Sequence, residues 1–450
     1  MELAKSVNNK SNISSKLKTI FRSLKYRNYR LFFTGQSISL IGTWMQRIAM
    51  PWLVYHMTGS AFLLGVVSFA GQIPTFILSP FAGVLTDQFS RYRVLLVTQI
   101  VSFVQALILA IIALTGVIEI WHIIVLSIAL GCINAFDVPA RHSFVIEMVE
   151  RKEDLGNAIA LNSLMFNGAR LIGPSVAGIM LATTGEGVCF LINAVSYIFV
   201  IFSLMMMHVE KNEAKPKESR LFRDMKEGLI YTFGFPPIKY LLLLLGLVSL
   251  MGSSYQVLMP VFAKEILQGG SDTFGFLMGA AGFGALTGAL YLASRETVLK
   301  LGRLIPAATA LFGSGLIVLS LVRVFSVSMI LMIFIGLGIM LQTAASNTVL
   351  QTITDNDKRG RVMSFYAMAI MGTAPFGSLL AGTLARLIGT SAAIFIGGAA
   401  CVAGAVLFFR KLPGLKDIVR PVYIKMGIIP EVAAGIQTAT EPAAETSDIR

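Results

Sequence analysis

The sequence predicts an all-α polytopic membrane protein with 12 transmembrane helices arranged as two six-helix bundles. Three observations predict it. Only 14% of the 450 residues are charged and 55% are hydrophobic, against about 25% charged in soluble domains. Twelve apolar runs are each near the length that a helix needs to cross a hydrocarbon core. A set of glycines in the fifth run returns in the eleventh, so the second six runs repeat the first.

In chain order the runs are 29–56, 61–86, 92–115, 120–144, 157–182, 187–208, 237–262, 273–293, 302–322, 326–350, 359–385 and 390–410. Each reads as a helix because lipid offers no partner to an unpaired backbone group. Internal Gly and Pro, such as Gly173 and Pro174, do not argue against spans, since membrane helices tolerate both. The organisation that follows is a basic N-tail at 1–28, a first bundle at 29–208, a linker at 209–236, a second bundle at 237–410 and a C-tail at 411–450. Within the linker, Leu221, Phe222, Met225 and Leu229 fall near helical spacing. An amphipathic helix on the membrane surface and a solvated linker both fit that stretch. The C-tail reads as flexible chain. Cys132, Cys189 and Cys401 all lie within spans and read as small core residues, with no metal site indicated.

Orientation follows from where the 37 Lys and Arg residues fall. Thirty-two lie in the tails, in the even-numbered loops or at the span ends that adjoin them, and only Lys264, Arg323 and Arg386 lie on the opposite side. The remaining two, Arg47 and Arg170, sit inside spans. This bias places both termini in the cytoplasm. The net charge of +13 is therefore a topology signal and not a sign of a nucleic-acid partner.

Gly156, Gly168, Gly173 and Gly178 recur as Gly360, Gly372, Gly377 and Gly382, each 204 residues on. Small residues let helix backbones approach closely, so Gly168, Gly173, Pro174, Gly178, Gly372, Gly377 and Gly382 are expected to pack spans five and eleven. After the second span comes "GVLTDQFSRYR", holding Gly83, Asp87, Arg91 and Arg93. The fifth span holds "GARLIGPSVAG", and other segments read "GTWMQRIAMPWLVYHMTGS", "NAFDVPARHSF" and "RGRVMSFYAMAIMGTAPFGSLLAG". Together these resemble the major facilitator superfamily of transporters, in its bacterial branch of enterobactin-exporter and macrolide-efflux-like proteins. The resemblance covers roughly residues 20 to 410. It implies that Gly83, Asp87, Arg91 and Arg93 form a cytoplasmic gate, with Asp87 reaching Arg91 and the N-terminus of the eleventh span. Two departures weaken that latch: Gln88 stands where a basic residue is usual, and Ser90 where a glycine is. Ser127 replaces the arginine of many proton-coupled exporters, which puts inherited proton coupling in doubt.

Charge inside a span costs at least ~2.5–3.5 kcal/mol on insertion scales, so such residues face a cavity or a partner. Gln36, Thr43 and Arg47 share one helix face, with Trp44 beside it, and Ser163, Asn167 and Arg170 share another. Asn134, Asp137 and Arg141 form a third such set. In the second half the polar groups are uncharged: Tyr255, Gln256, Gln342 and Tyr366. The expected cavity is lined by Gln36, Thr43, Trp44, Arg47, Asn134, Asn167, Arg170, Tyr255, Gln256, Gln342 and Tyr366. Arg141, one turn from Asp137, is the evident partner of that carboxylate, and the two are the candidates for ion coupling, with the proton as default ion. Arg47 and Arg170 have no evident counter-ion and point to an anionic ligand, since a guanidinium is a planar fork of donors suited to carboxylate or phosphate.

The function expected is secondary active transport by alternating access, exporting an amphipathic organic molecule such as a siderophore, macrolide-like drug or secondary metabolite. The partners are that small molecule and the lipid bilayer, and no cofactor is indicated. Two rivals fit the same residues. A lipid or lysolipid translocator would use the arginines on a headgroup phosphate, and a non-transporting scaffold or sensor would seal the interface between the halves. No phosphate-binding loop and no nucleophile-base or metal-ligand set argues for an enzyme.

Overall fold

The computed structural model describes residues 21–208, 221–295, 297–355 and 357–426, apart from the side chains at 80, 83–88, 152, 221–226 and 425. Among the described residues the secondary structure is helical throughout. The first half holds α1 (Arg27–Thr58), α2 (Ala61–Gln88), α3 (Arg91–Leu114), α4 (Ile120–Glu147), α5 (Lys152–Thr184) and α6 (Glu186–Met205). The linker contributes α7 (Leu221–Gly234), so its second part is a helix. The second half holds α8 (Pro236–Ile266), α9 (Ser271–Ala293), α10 (Leu301–Leu321), α11 (Phe325–Ile353) and α12 (Arg359–Ile388). It ends with α13 (Thr390–Lys425).

Eleven of the described helices are long and apolar enough to cross a membrane. The first helix is the exception among the expected spans. At 32 residues it is long enough, but Arg30, Gln36, Gln46 and Arg47 lower its hydropathy. A polar helix is stable there because its neighbours supply partners. The Asn193 amide donates to Gln46 Oε1 at 2.6 Å, and Gly42 lets α6 come so close that a Cβ would clash with Ser196 Oγ.

Two helix ends depart from expectation. The twelfth span does not stop at 410: α13 continues through Pro413 and Pro421 to Lys425, so that part of the C-tail is helical. A proline removes one helical hydrogen bond and normally breaks the helix. Here Leu412 and Leu415 are buried, and Val419 and Tyr423 pack on the same core, a spacing that keeps one apolar face against the second half. Ahead of α1, a short 3-10 turn at Arg22–Lys25 docks on the start of α5. Asp154 there receives Tyr26 Oη at 2.7 Å and pairs with Lys25 at 2.6 Å and Arg22 at 3.0 Å. The Asp154 hydrogen bond holds the Lys25 ammonium above its ordinary range.

The halves meet mainly through two helix pairs, α5 with α9 and α2 with α12. Both pairs close on glycine. A Cβ on Gly178 would lie 2.9 Å from Gly275 Cα, and one on Gly382 would lie 3.1 Å from Gly65 Cα. Any side chain at these points would force the backbones apart. The 204-residue repeat thus has a physical meaning: equivalent glycines make equivalent cross-half contacts. Gly173 and Gly377 are tight as well, since a Cβ on either would clash with Trp44 Cβ or the Leu250 carbonyl. Gly168 is a correction. A Cβ there meets nothing within 4 Å, whereas its counterpart Gly372 abuts Phe76. The reason is that α5 faces open space at that level while α12 is crossed by α2.

Other bonds between the halves lie toward the side where α1 and α5 end, called here the far side. Tyr55 Oη donates to Glu265, with Lys264 over the Tyr55 ring at 5.7 Å. Trp52 stacks on Phe274 at 6.1 Å, and Ser271 Oγ donates to the Gly178 carbonyl at 3.5 Å. Deeper in, Gln72 donates to Ser378 Oγ at 3.3 Å. Trp52 is therefore part of an interface between halves and not of a lipid-facing belt.

Candidate functional site

Arg47 and Arg170 come together around one tryptophan. The Arg47 guanidinium lies 4.9 Å from the Trp44 ring centroid and that of Arg170 lies 5.9 Å from it. Helix α1 delivers Trp44 and Arg47 three residues apart, and Gly173 lets α5 approach closely enough for Arg170 to reach the same ring. Phe166, one turn earlier on α5, holds the indole edge-on at 5.8 Å. Each guanidinium over an aromatic face gains ~0.5–2 kcal/mol, more as water is excluded.

The electrostatics of this cluster are one-sided. The charged groups that act on Arg47 are Arg141 and Arg170, both of its own sign. Arg170 has the Tyr255 hydroxyl of α8 as its electrostatic neighbour. Arg47 nonetheless keeps an exposed side chain and Arg170 a half-buried one, although both sit deep in the molecule. A guanidinium that is surrounded by helices yet open to solvent faces a cavity. Among the described residues no carboxylate bonds either arginine.

Asp137 is a different case. It is 4% exposed, and its oxygens are taken by three donors. Arg141 pairs with Oδ2 at 2.9 Å, while Gln99 and Thr98 donate to Oδ1 at 2.6 Å and 3.0 Å. The partner expected from spacing is therefore the partner observed. Thr98 and Gln99 were missed, although a Thr-Gln pair inside "LLVTQIV" is the kind of polar interruption that signals a buried partner. We expect Asp137→Asn to destabilise the protein by about 3–5 kcal/mol, because it leaves the Arg141 charge uncompensated. Thermal unfolding in detergent would measure this, and Asp137→Asn combined with Arg141→Gln should regain most of the loss.

The remaining expected lining residues divide. Thr43, Trp44, Asn134, Gln256 and Tyr366 are half-buried. Tyr366 Oη donates across to the Thr343 carbonyl at 3.4 Å, tying α12 to α11. Gln36, Asn167, Tyr255 and Gln342 are buried, at 2%, 6%, 3% and 1% exposed. Asn167 bonds its own helix at the Ser163 carbonyl, 2.9 Å away. Gln36 is a correction to the shared-face reading: it is buried, with its Oε1 unbonded among the described residues, and does not share the exposure of Arg47. A helix face one turn from a cavity residue can still be covered by a neighbouring helix.

Of the expected gate, Arg91 and Arg93 are described, and the side chains of Gly83 and Asp87 lie outside the described residues. Arg91 donates to Glu147 at the end of α4, 2.7 Å away. Glu147 is a partner of Arg91 that the sequence motif did not name. Arg93 is exposed.

Comparisons with known proteins agree with this architecture. The model of the family described as transmembrane secretion effector matches residues 18–424. The staphyloferrin A transporter of Staphylococcus aureus is 25% identical over 387 residues, covering 85% of this chain and 96% of its own. The multidrug efflux pump Tap of Mycolicibacterium fortuitum is 25% identical over 386 residues, covering 82% of this chain and 92% of its own. Among solved structures, the peptide transporter POT superposes with a TM-score of 0.69 at 12% identity, over 87% of this chain and 95% of that one. At that identity the likeness is one of fold alone.

Proposed function

This chain belongs to the transmembrane secretion effector family of major facilitator transporters, and from that premise we propose that it exports an amphipathic organic anion by alternating access. It is a multi-pass membrane transporter of bacterial type and not an enzyme. The observation that carries the anion is the pair of guanidiniums on Trp44 with like-charged neighbours and no bonded carboxylate among the described residues. The aromatic ring between two cationic forks suits a ligand with both a flat apolar part and acidic groups.

Export is supported by the efflux pump among the relatives, and a ligand resembling staphyloferrin A by the staphyloferrin A transporter. The Lys and Arg bias puts both termini in the cytoplasm of the inner-membrane protein, which makes the far side periplasmic. In that frame the cross-half bonds around Tyr55, Gly178 and Gly382 seal the periplasmic side, and the arginine cavity opens inward to load substrate. A scaffold reading would call for a sealed interface with both arginines paired, unlike the exposed Arg47.

The test is uptake into inside-out membrane vesicles from cells expressing the protein, against vesicles lacking it. A labelled anionic siderophore or aromatic dicarboxylate should accumulate, and a cationic dye should not. Accumulation of the dye alone would overturn the anion reading and leave a multidrug pump.

A further inference from the structure

We propose that α7 is an anchor in the cytoplasmic leaflet: Leu229, Ile230 and Phe233 insert among the lipids, while the opposite face ties the start of α12 to the membrane. This goes beyond the transport reading and holds whatever the cavity carries.

The two faces of α7 are chemically unlike. Leu229, Ile230 and Phe233 share one side of the helix and are exposed, Ile230 the most so at 64%. Glu227, Gly228 and Tyr231 lie on the other side, against the loop before α12 and its first turns. Arg361 donates to Glu227 at 2.8 Å, and the Tyr231 hydroxyl donates to Asp355 at 3.3 Å. Lys358 stands over the Tyr231 ring at 4.5 Å. Gly228 lets the two helices touch, since a Cβ there would stand 3.1 Å from both Arg361 and Phe365.

Position says what covers the apolar face. Only Phe235 separates α7 from Pro236, where the span α8 begins. The Lys and Arg bias puts that end of α8 on the cytoplasmic side. The exposed face therefore sits at headgroup level, where an amphipathic helix buries its apolar side ~5–10 Å into the boundary with the acyl chains. The preceding stretch, "VEKNEAKPKESR" at 209–220, has only Val209, Ala214 and Pro216 as apolar residues, too few to cover three large side chains.

The part of α12 that α7 holds is Arg359–Ala367, which carries Tyr366 of the cavity lining. Directly after it, Met368–Gly372 winds as a π-helical turn, a place where a helix bends. Helix α8 has such a turn at Val248–Gly252, and Ser249 Oγ donates to the Ile370 carbonyl at 2.6 Å, so the two lie side by side. The cytoplasmic segments of α8 and α12 thus share one bending level, and α7 links them to the bilayer.

The test uses the full chain with Cys132→Ser in lipid nanodiscs. Spin labels on Ile230→Cys and Phe233→Cys are read for collision with molecular oxygen and with a water-soluble nickel chelate. Leu407→Cys, exposed on α13, is the lipid reference, and Asp357→Cys, exposed in the loop before α12, is the water reference. Both α7 labels should follow the Leu407 label. Nickel access like that at 357 would overturn the proposal in favour of a solvated linker. Little access to either probe would overturn it in favour of a protein cover, from a second copy or from 209–220. Ile230→Glu with Phe233→Glu should then lower hydrogen-exchange protection at 359–367 by about tenfold or more, with the first half unchanged as the control for folding. Ile230→Leu with Phe233→Leu should leave that protection as it was. Unchanged protection in the Glu pair would overturn the tie between α12 and the membrane.

Discussion

Replacing Arg47 or Arg170 by Gln is expected to weaken organic-anion binding by about 10- to 150-fold each, the range given by losing a charged hydrogen bond worth ~1.5–3 kcal/mol. The effect should exceed that of any uncharged cavity residue, because the site holds no other unspent charge in the described core. The two losses should not add. Both guanidiniums sit over Trp44, at 4.9 Å and 5.9 Å, so removing one lets the ring and the anion shift toward the other. Lys at either position should recover part of the affinity, since it restores charge but not the planar fork. Binding measured by calorimetry on the two Gln variants, their double variant and the two Lys variants checks all three statements.

The second large effect is expected at the far-side glycines. Gly178→Leu should leave each half folded, because residue 178 packs on α9 of the other half and not into its own core. A Cβ alone would stand 2.9 Å from Gly275 Cα, so the halves must separate to admit the side chain. Overpacking of this kind costs ~1–3 kcal/mol. Charged to the sealed state alone, it favours the far-side-open state by about 5- to 150-fold. Gly382→Leu should act alike through Gly65 and Ala61, as the glycine repeat requires. The distance between spin labels on Val117→Cys and Leu387→Cys, exposed on the far sides of the two halves, should lengthen in both variants while transport falls. Transport at the unsubstituted rate with a short distance would show that these contacts do not set the conformation.

The fold was legible in the sequence because lipid imposes its demands locally. Each crossing must bury about 20 residues of backbone in apolar side chains, and eleven of twelve runs do so without help. The glycine offset carried tertiary information for a similar reason: two helices can touch at Gly178 and Gly275 only where both lack a side chain. The candidate site was legible in part. Unpaired arginines stand out in an apolar chain, and the Asp137–Arg141 pair followed from a one-turn spacing. What spacing does not encode is which helix covers a given face. Gln36 lies on the expected stripe with Arg47, yet it is buried while Arg47 is exposed. Thr98, Gln99 and Glu147 become partners only through the packing of α3 on α4. The extension of α13 past Pro413 was hidden because the proline signal is local, while the burial of Leu412 and Leu415 that offsets it is not.

The most direct measurement of the central claim is the thermal stability of the purified protein with anionic siderophores, lysophospholipids, macrolides and cationic dyes, repeated on Arg47→Gln and Arg170→Gln. The account predicts stabilisation by organic anions that disappears in both variants. Stabilisation by cations or neutral drugs alone, unchanged in the variants, would contradict it and make the two arginines structural.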